Sequence, residues 1–339
     1  MFSKLFEALY LKVFVNIVVL EDKSIVYVEM LNKKGVVRSD EQTFETTTLD
    51  ERMLHYIKSF VKESPFYYIS LLDNSREQGA IPTCAKTSIG HFHDMSSCEY
   101  KCFADKWSFY TSKNELYALE KRYEKIGLDF IFSPFILLHN FFKDKIDEHK
   151  AMYVLVEETQ ISVSIYADSE LLFAKHLEMK QSQEQDELSM SDDIALDDEE
   201  DDNSIDLDDL DALDEDDGME EFGSIEDLDT LDDLDDFSDT KDLDEEFHAI
   251  DETEIEEEDA TDGFNQDYQR FLLIQSAVNK FYKDDRFKSE FVEAVYIADG
   301  VGISKDLKKY LEEEMFLSVY VRHINLAHEL CNTAKLELA

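Results

Sequence analysis

Apolar residues alternate with polar ones, or run together in short β-branched stretches, at both ends of the chain. Lys12–Leu20 and Ile25–Met30 are rich in Val, Ile, Phe and Tyr, and Glu21-Asp22-Lys23-Ser24 lies between them, which predicts a β-hairpin. A third strand is expected over Val36–Phe44. A helix follows from Leu49 to Lys62, where Met53, Leu54, Ile57, Phe60 and Val61 share one face. Pro65 ends that helix, and Phe66–Leu72 reads as a buried strand. Residues 81–112 are less regular and are expected to form at most a small subdomain. Beyond them Leu116, Tyr117, Leu119, Tyr123 and Ile126 mark a helix over 114–126, capped by Gly127. Phe130–Phe132 then reads as a short strand, and Pro134 opens a helix through Phe142.

The pattern then repeats. Met152–Ile165 alternates, Ala167-Asp168-Ser169 turns, and Leu171–Leu177 pairs back as a second hairpin. The helix due next is displaced to about Asp267, where Phe271, Leu272, Ile274, Val278 and Phe281 share a face. A strand at Val295–Ala298, a glycine-containing turn, a helix at Ser304–Glu314 and a strand at Leu317–Val321 complete this half, and His323, His328 and Cys331 are placed on a terminal helix. The expected organisation is α/β and two-lobed, with residues 1–150 as the first lobe and 151–180 plus 266–339 as the second. Residues 181–265 are a long acidic insertion expected to be disordered.

Charge accounts for the insertion. The chain of 339 residues has a formal net charge of -47. Residues 186–262 contain 40 Asp and Glu against the single basic residue Lys241. Burial there would bring like charges together at a cost its sparse Leu and Ile could not offset. Leu207, Leu210 and Leu213, then Leu228, Leu231, Leu234 and Phe237, recur about every three residues. That period lags a helical turn, so the stripe winds around a helix and makes no single seam. The leucines are spacer, or a linear motif that anchors on a basic, grooved partner protein. Such a polyanion excludes nucleic acid as a partner.

Four cysteines are too few for a disulfide scaffold, and with no signal peptide in view they read as reduced thiols. No apolar run approaches the ~20 residues of a membrane-spanning helix. Cys84, His91, His93, Cys98 and Cys102 fall within nineteen residues and are a candidate zinc set, thiolate and imidazole being suited to tetrahedral metal. Their spacing lacks tight paired knuckles, and buried thiols are the competing reading.

The segment from Leu116 to Met179 resembles the PilM and GspL family in its helix, Gly127-Leu128, Phe130-Ile131-Phe132, helix after Pro134 and following hairpin. So does Glu293–Leu311, followed by the strand at Leu317–Val321. The resemblance implies the actin-like (ASKHA), FtsA-related fold and a cytoplasmic scaffold, peripheral at the inner membrane, that serves type IV pilus, type II secretion, DNA-uptake or flagellar-motor machinery. Its partner would be the cytoplasmic tail of a bitopic inner-membrane protein, held in a groove of the first lobe, and a homo-oligomer is compatible with it. Nucleotide-binding members place a glycine turn in each leading hairpin, but Leu20–Lys23 and Val156–Thr159 contain no glycine. Asp299, Gly300 and Gly302 alone keep a vestige of the nucleotide turn. The departure implies no enzyme and no resident cofactor. A weak Mg-ATP-dependent ATPase of the same fold and a zinc-dependent regulator are the alternatives.

Overall fold

A computed structural model describes residues 10–146, 150–179, 257–284, 286–287 and 291–338. The first lobe is built on strands β1 (Lys12–Val19), β2 (Ser24–Asn32), β3 (Gly35–Phe44), β4 (Phe66–Leu72) and β8 (Phe130–Phe132) in the order β3-β2-β1-β4-β8. The second lobe repeats this with β9 (Ala151–Val156), β10 (Gln160–Ala167), β11 (Glu170–Glu178), β12 (Ala294–Asp299) and β13 (Ser318–His323), ordered β11-β10-β9-β12-β13. In each sheet three antiparallel strands lead and two parallel strands follow. This duplicated meander with parallel additions is the two-lobed α/β organisation that the pattern predicted, with the actin-like architecture that the resemblance implied.

Alternation along the central strands sorts their side chains into three apolar layers. Val13, Val15 and Ile17 of β1 face helices α1 (Glu51–Val61) and α3 (Lys113–Arg122), where Met53, Ile57 and Leu119 are buried. Met152 and Val154 of β9 face α6 (Glu257–Lys283) and α7 (Lys305–Glu314) in the second lobe. The opposite faces, through Phe14, Val18, Tyr153 and Leu155, share one core with α4 (Pro134–Phe141) and α8 (Leu326–Glu337). Short α5 (Lys143–Ile146) continues from α4. Although α8 follows the second lobe in the chain, it packs on β1, β2 and β4 of the first. Glu29 and Lys335 tie it there, Nζ to Oε1 at 2.6 Å.

Between β4 and α3 the chain forms a small antiparallel sheet, β5 (Gln78–Ile81), β7 (Trp107–Ser112) and β6 (Cys98–Phe103), with the one-turn helix α2 (Lys86–Ile89). The region read as irregular is therefore ordered. Its strands are short, and Cys98–Phe103 has no clear alternation for periodicity to detect. Cys84 and Cys102 form a disulfide across this sheet, which corrects the expectation of reduced thiols. The order β5-β7-β6 sets the loop after β5 beside the end of β6, within reach of a bridge.

Other expectations also change. Met152–Ile165, read as one alternating stretch, is β9 and β10, which meet at the Val156–Thr159 stretch taken as the turn of the leading hairpin. His323 ends β13 and is not on the terminal helix. Helix α6 begins at Glu257, inside the segment assigned to the disordered insertion. The leucine and Phe237 motif of that insertion lies outside the described residues. Among the described residues no helix is long and apolar enough to cross a membrane.

Candidate functional site

In this architecture the two leading hairpins point their turns at each other across the space where the lobes meet. Here the turns touch. The Glu21 amide, in the β1–β2 turn, donates to Glu158 Oε2 in the β9–β10 turn at 3.1 Å. A side-chain carboxylate thus takes an amide that a phosphate oxygen would need. Alongside, Gln160 Nε2 donates to the Asn74 carbonyl at 3.1 Å, and Arg76 Nε lies 2.9 Å from Glu178 Oε1. These three contacts join the two lobes.

Acidic groups line the same place. Asp73, just beyond β4, is buried, accepts from Thr111 Oγ1 at 2.7 Å and from the Ser75 amide at 3.0 Å, and has its pKa raised by burial. Glu157 is pushed up to about 8, first by loss of water and second by the negative charge of Asp73. A polyphosphate brought here would meet a site already short of hydration and rich in carboxyl groups.

The vestigial turn of Asp299, Gly300 and Gly302 is satisfied from within. Asp299 Oδ1 accepts from the amides of Val301 at 3.0 Å and Gly302 at 2.8 Å, and its Oδ2 accepts from that of Ile303 at 3.1 Å. The Gly300 amide donates to the Val156 carbonyl at 3.0 Å, and the Ser304 amide to Asp267 Oδ2 at 2.9 Å. Both glycines answer to backbone geometry. A Cβ on Gly300 would lie 2.9 Å from the Val156 carbonyl oxygen, and Gly302 has φ +80°. The sequence locates this turn, but not that five consecutive amides, 300 to 304, are already bonded.

The five residues proposed as zinc ligands are not assembled as ligands. Cys84 and Cys102 spend their sulfurs on each other, Cys98 Sγ is 3.8 Å from His93 Nε2, and the His93 ring stacks on Tyr110 with centroids 4.3 Å apart. Among the described residues no group of three or more His, Cys, Asp or Glu could hold a metal ion. That set is corrected to a disulfide and a part-buried contact between the Cys98 thiol and the His93 imidazole.

A cleft of about 270 Å³, which sequence reasoning did not locate, opens between the small sheet and the first lobe. Glu99, Tyr100 and Lys101 of β6 and Phe109 and Thr111 of β7 form one wall. Leu116 and Glu120 of α3, with Leu128–Ile131 at the outer end of the first sheet, form the other. Glu99, Glu120, Asp129 and Asp73 stand there against the single cation Lys101, so the cleft is acidic with an apolar floor.

Residues 10–139 match the family described as Domain of unknown function (DUF8569). Residues 152–339 match that described as Domain of unknown function (DUF8341). No curated protein matches the chain. Among solved structures it is similar to a Bacteroides thetaiotaomicron protein with actin-like ATPase fold and unknown function, at 13% identity, 96% coverage of each chain and a TM-score of 0.45. It is also similar to the PilM-PilN type IV pilus biogenesis complex, at 8% identity over 93% of this chain and 89% of that one, TM-score 0.46. A third is component A of (R)-2-hydroxyglutaryl-CoA dehydratase from Acidaminococcus fermentans, 8% identical over 96% and 97% of the two chains, TM-score 0.37. Since the second of the two family models spans more than half of its residues, the chain belongs to the family Domain of unknown function (DUF8341).

Proposed function

We propose that this protein is a non-catalytic adaptor that binds the cytoplasmic tail of an inner-membrane protein, within an envelope-spanning machine of the pilus or secretion type. The observation that carries the reading is the contact of the two hairpin turns, Glu158 on the Glu21 amide, where a nucleotide-driven relative would hold phosphate. The Asp299 carboxylate supports it, since it takes three backbone amides that an anionic ligand would need.

The acidic cleft beside β8 is the binding place in this reading. Among the described residues β8 is an end strand of its sheet, so an extended segment can add to its outer edge while Tyr100, Phe109 and Leu116 receive apolar side chains. Cytoplasmic segments next to a membrane span are enriched in Lys and Arg, the charge that Glu99, Glu120 and Asp129 favour. The adaptor would accordingly be cytoplasmic and held at the membrane through its partner.

Two measurements test this. Titration with a fluorescent ATP analogue and magnesium gives no saturable binding; clear affinity would overturn the non-catalytic reading. Affinity capture from detergent-solubilised membranes yields one bitopic protein with a basic cytoplasmic tail. Capture is lost when the exposed pair Glu99 and Glu120 is reversed to Lys, and capture that ignores the reversal removes the cleft from the account.

A further inference from the structure

The outer strand of the first sheet carries an inference independent of nucleotide and of the acidic cleft. β3 is ten residues long, beyond the five or six usual for a strand, and pairs with β2 along one edge only. No strand among the described residues pairs with its other edge. Every residue from Gly35 to Ser39 is exposed, and Val36 and Val37 are 56% and 55% exposed. A strand of this length is a template for another, and proteins that avoid the outcome place charges, bulges or proline along it. β3 contains no proline; a register shift opposite Met30 and Leu31 interrupts it at Val37, and from Arg38 onward its charges Arg38, Asp40 and Glu41 are of mixed sign.

Those charges match themselves. Arg38 stands opposite Met30 and Asp40 opposite Val28 in the register with β2. Met30 and Val28 both point into the layer under α1, so Arg38 and Asp40 share that face of the sheet. The Arg38 guanidinium is held there, over the Phe60 ring at 4.9 Å, 3.5 Å from Asp40 Oδ2 and 3.7 Å from Glu63 Oε1. Two antiparallel copies of one strand are related by a dyad through a residue and its own mate. A dyad at Arg38, Asp40 or Glu41 opposes like charges. A dyad at Ser39 sets Arg38 of each copy opposite Asp40 of the other, twice over.

We propose that a second copy of this chain docks on β3, antiparallel and centred on Ser39, joining two first-lobe sheets into one. The Arg38 and Asp40 side chains of both copies form a four-charge cluster on the α1 face, and backbone bonds along the two edges supply the register.

Sedimentation of the full chain at ~0.15 M salt, where the repulsion of the acidic segments is screened beyond about 8 Å, shows a monomer–dimer equilibrium. Arg38→Asp raises the dissociation constant about tenfold, and Arg38→Asp with Asp40→Arg restores it. Ser39→Cys cross-links under copper–phenanthroline, whereas Gln42→Cys, equally exposed but off the dyad, does not. The native cysteines interfere little, since Cys98 and Cys331 are buried and the other two are bonded. A monomer at every concentration overturns the proposal, including one whose β3 accepts an extended peptide instead. A dimer indifferent to the charge swap and not trapped through Ser39 overturns it equally.

Discussion

Glu157 holds its proton at a pH where an ordinary glutamate has lost it, because it sits out of water beside Asp73. A carboxyl whose folded pKa is raised makes the folded state bind more protons than the unfolded one, so stability declines as pH rises. The window runs from the ordinary value of 4.5 to about 8. Chemical denaturation across that range should show the wild type weakening with pH, and Glu157→Gln should flatten the decline; equal slopes would show that another group is responsible. At Asp299 the expected loss is of a different kind. Asp299→Ala strands three backbone amides and should lower stability by ~3 kcal/mol, read as a shifted denaturation midpoint. The Asp-Gly turn was legible in the sequence because glycine between strand and helix announces itself. Where its amides point was not, since that depends on the carboxylate folding back over its own turn.

At the scale of elements, legibility followed apolar runs with clear ends. β4 and β8 were placed to the residue, being bounded by Pro65 and Pro134 and apolar but for Ser70. The β5-β7-β6 sheet was missed because its strands are short, because β6 is largely exposed, and because part of its cohesion is covalent. Spacing cannot reveal which cysteines pair. The bridge between Cys84 and Cys102 encloses 18 residues of sequence separation and should contribute ~3 kcal/mol. Cys84→Ser and Cys102→Ser should each lose that amount, and the double variant should lose no more, because the two changes remove one bond. Additive losses would mean that the sulfurs contribute separately.

For the whole molecule, the repeat was visible as two hairpin-led halves, but the tie between them was not. The pattern gave no sign that α8, from the end of the chain, covers the sheet formed by its beginning. Leu326, Leu330, Cys331 and Ala334 are buried in the shared core with Phe14 and Val18. A fragment ending at residue 150 should therefore bind a hydrophobic dye and lack a cooperative thermal transition, whereas adding the α8 segment back as a peptide should reduce dye binding. A fragment that melts sharply alone would show that the first lobe closes without this cover. Glu29→Ala should be costly in the intact chain, by about 3 kcal/mol, because it leaves the Lys335 ammonium facing a buried site. Pairing it with Lys335→Met should recover most of the loss, and failure to recover would place the cost in packing.

That crossing has a consequence for birth of the protein. A ribosome emits β1 early and α8 only after both sheets and the polyanionic stretch have left the exit tunnel. Until then one apolar face of the oldest sheet waits uncovered, so nascent chains stalled before residue 326 are the form most exposed to chaperones and proteases.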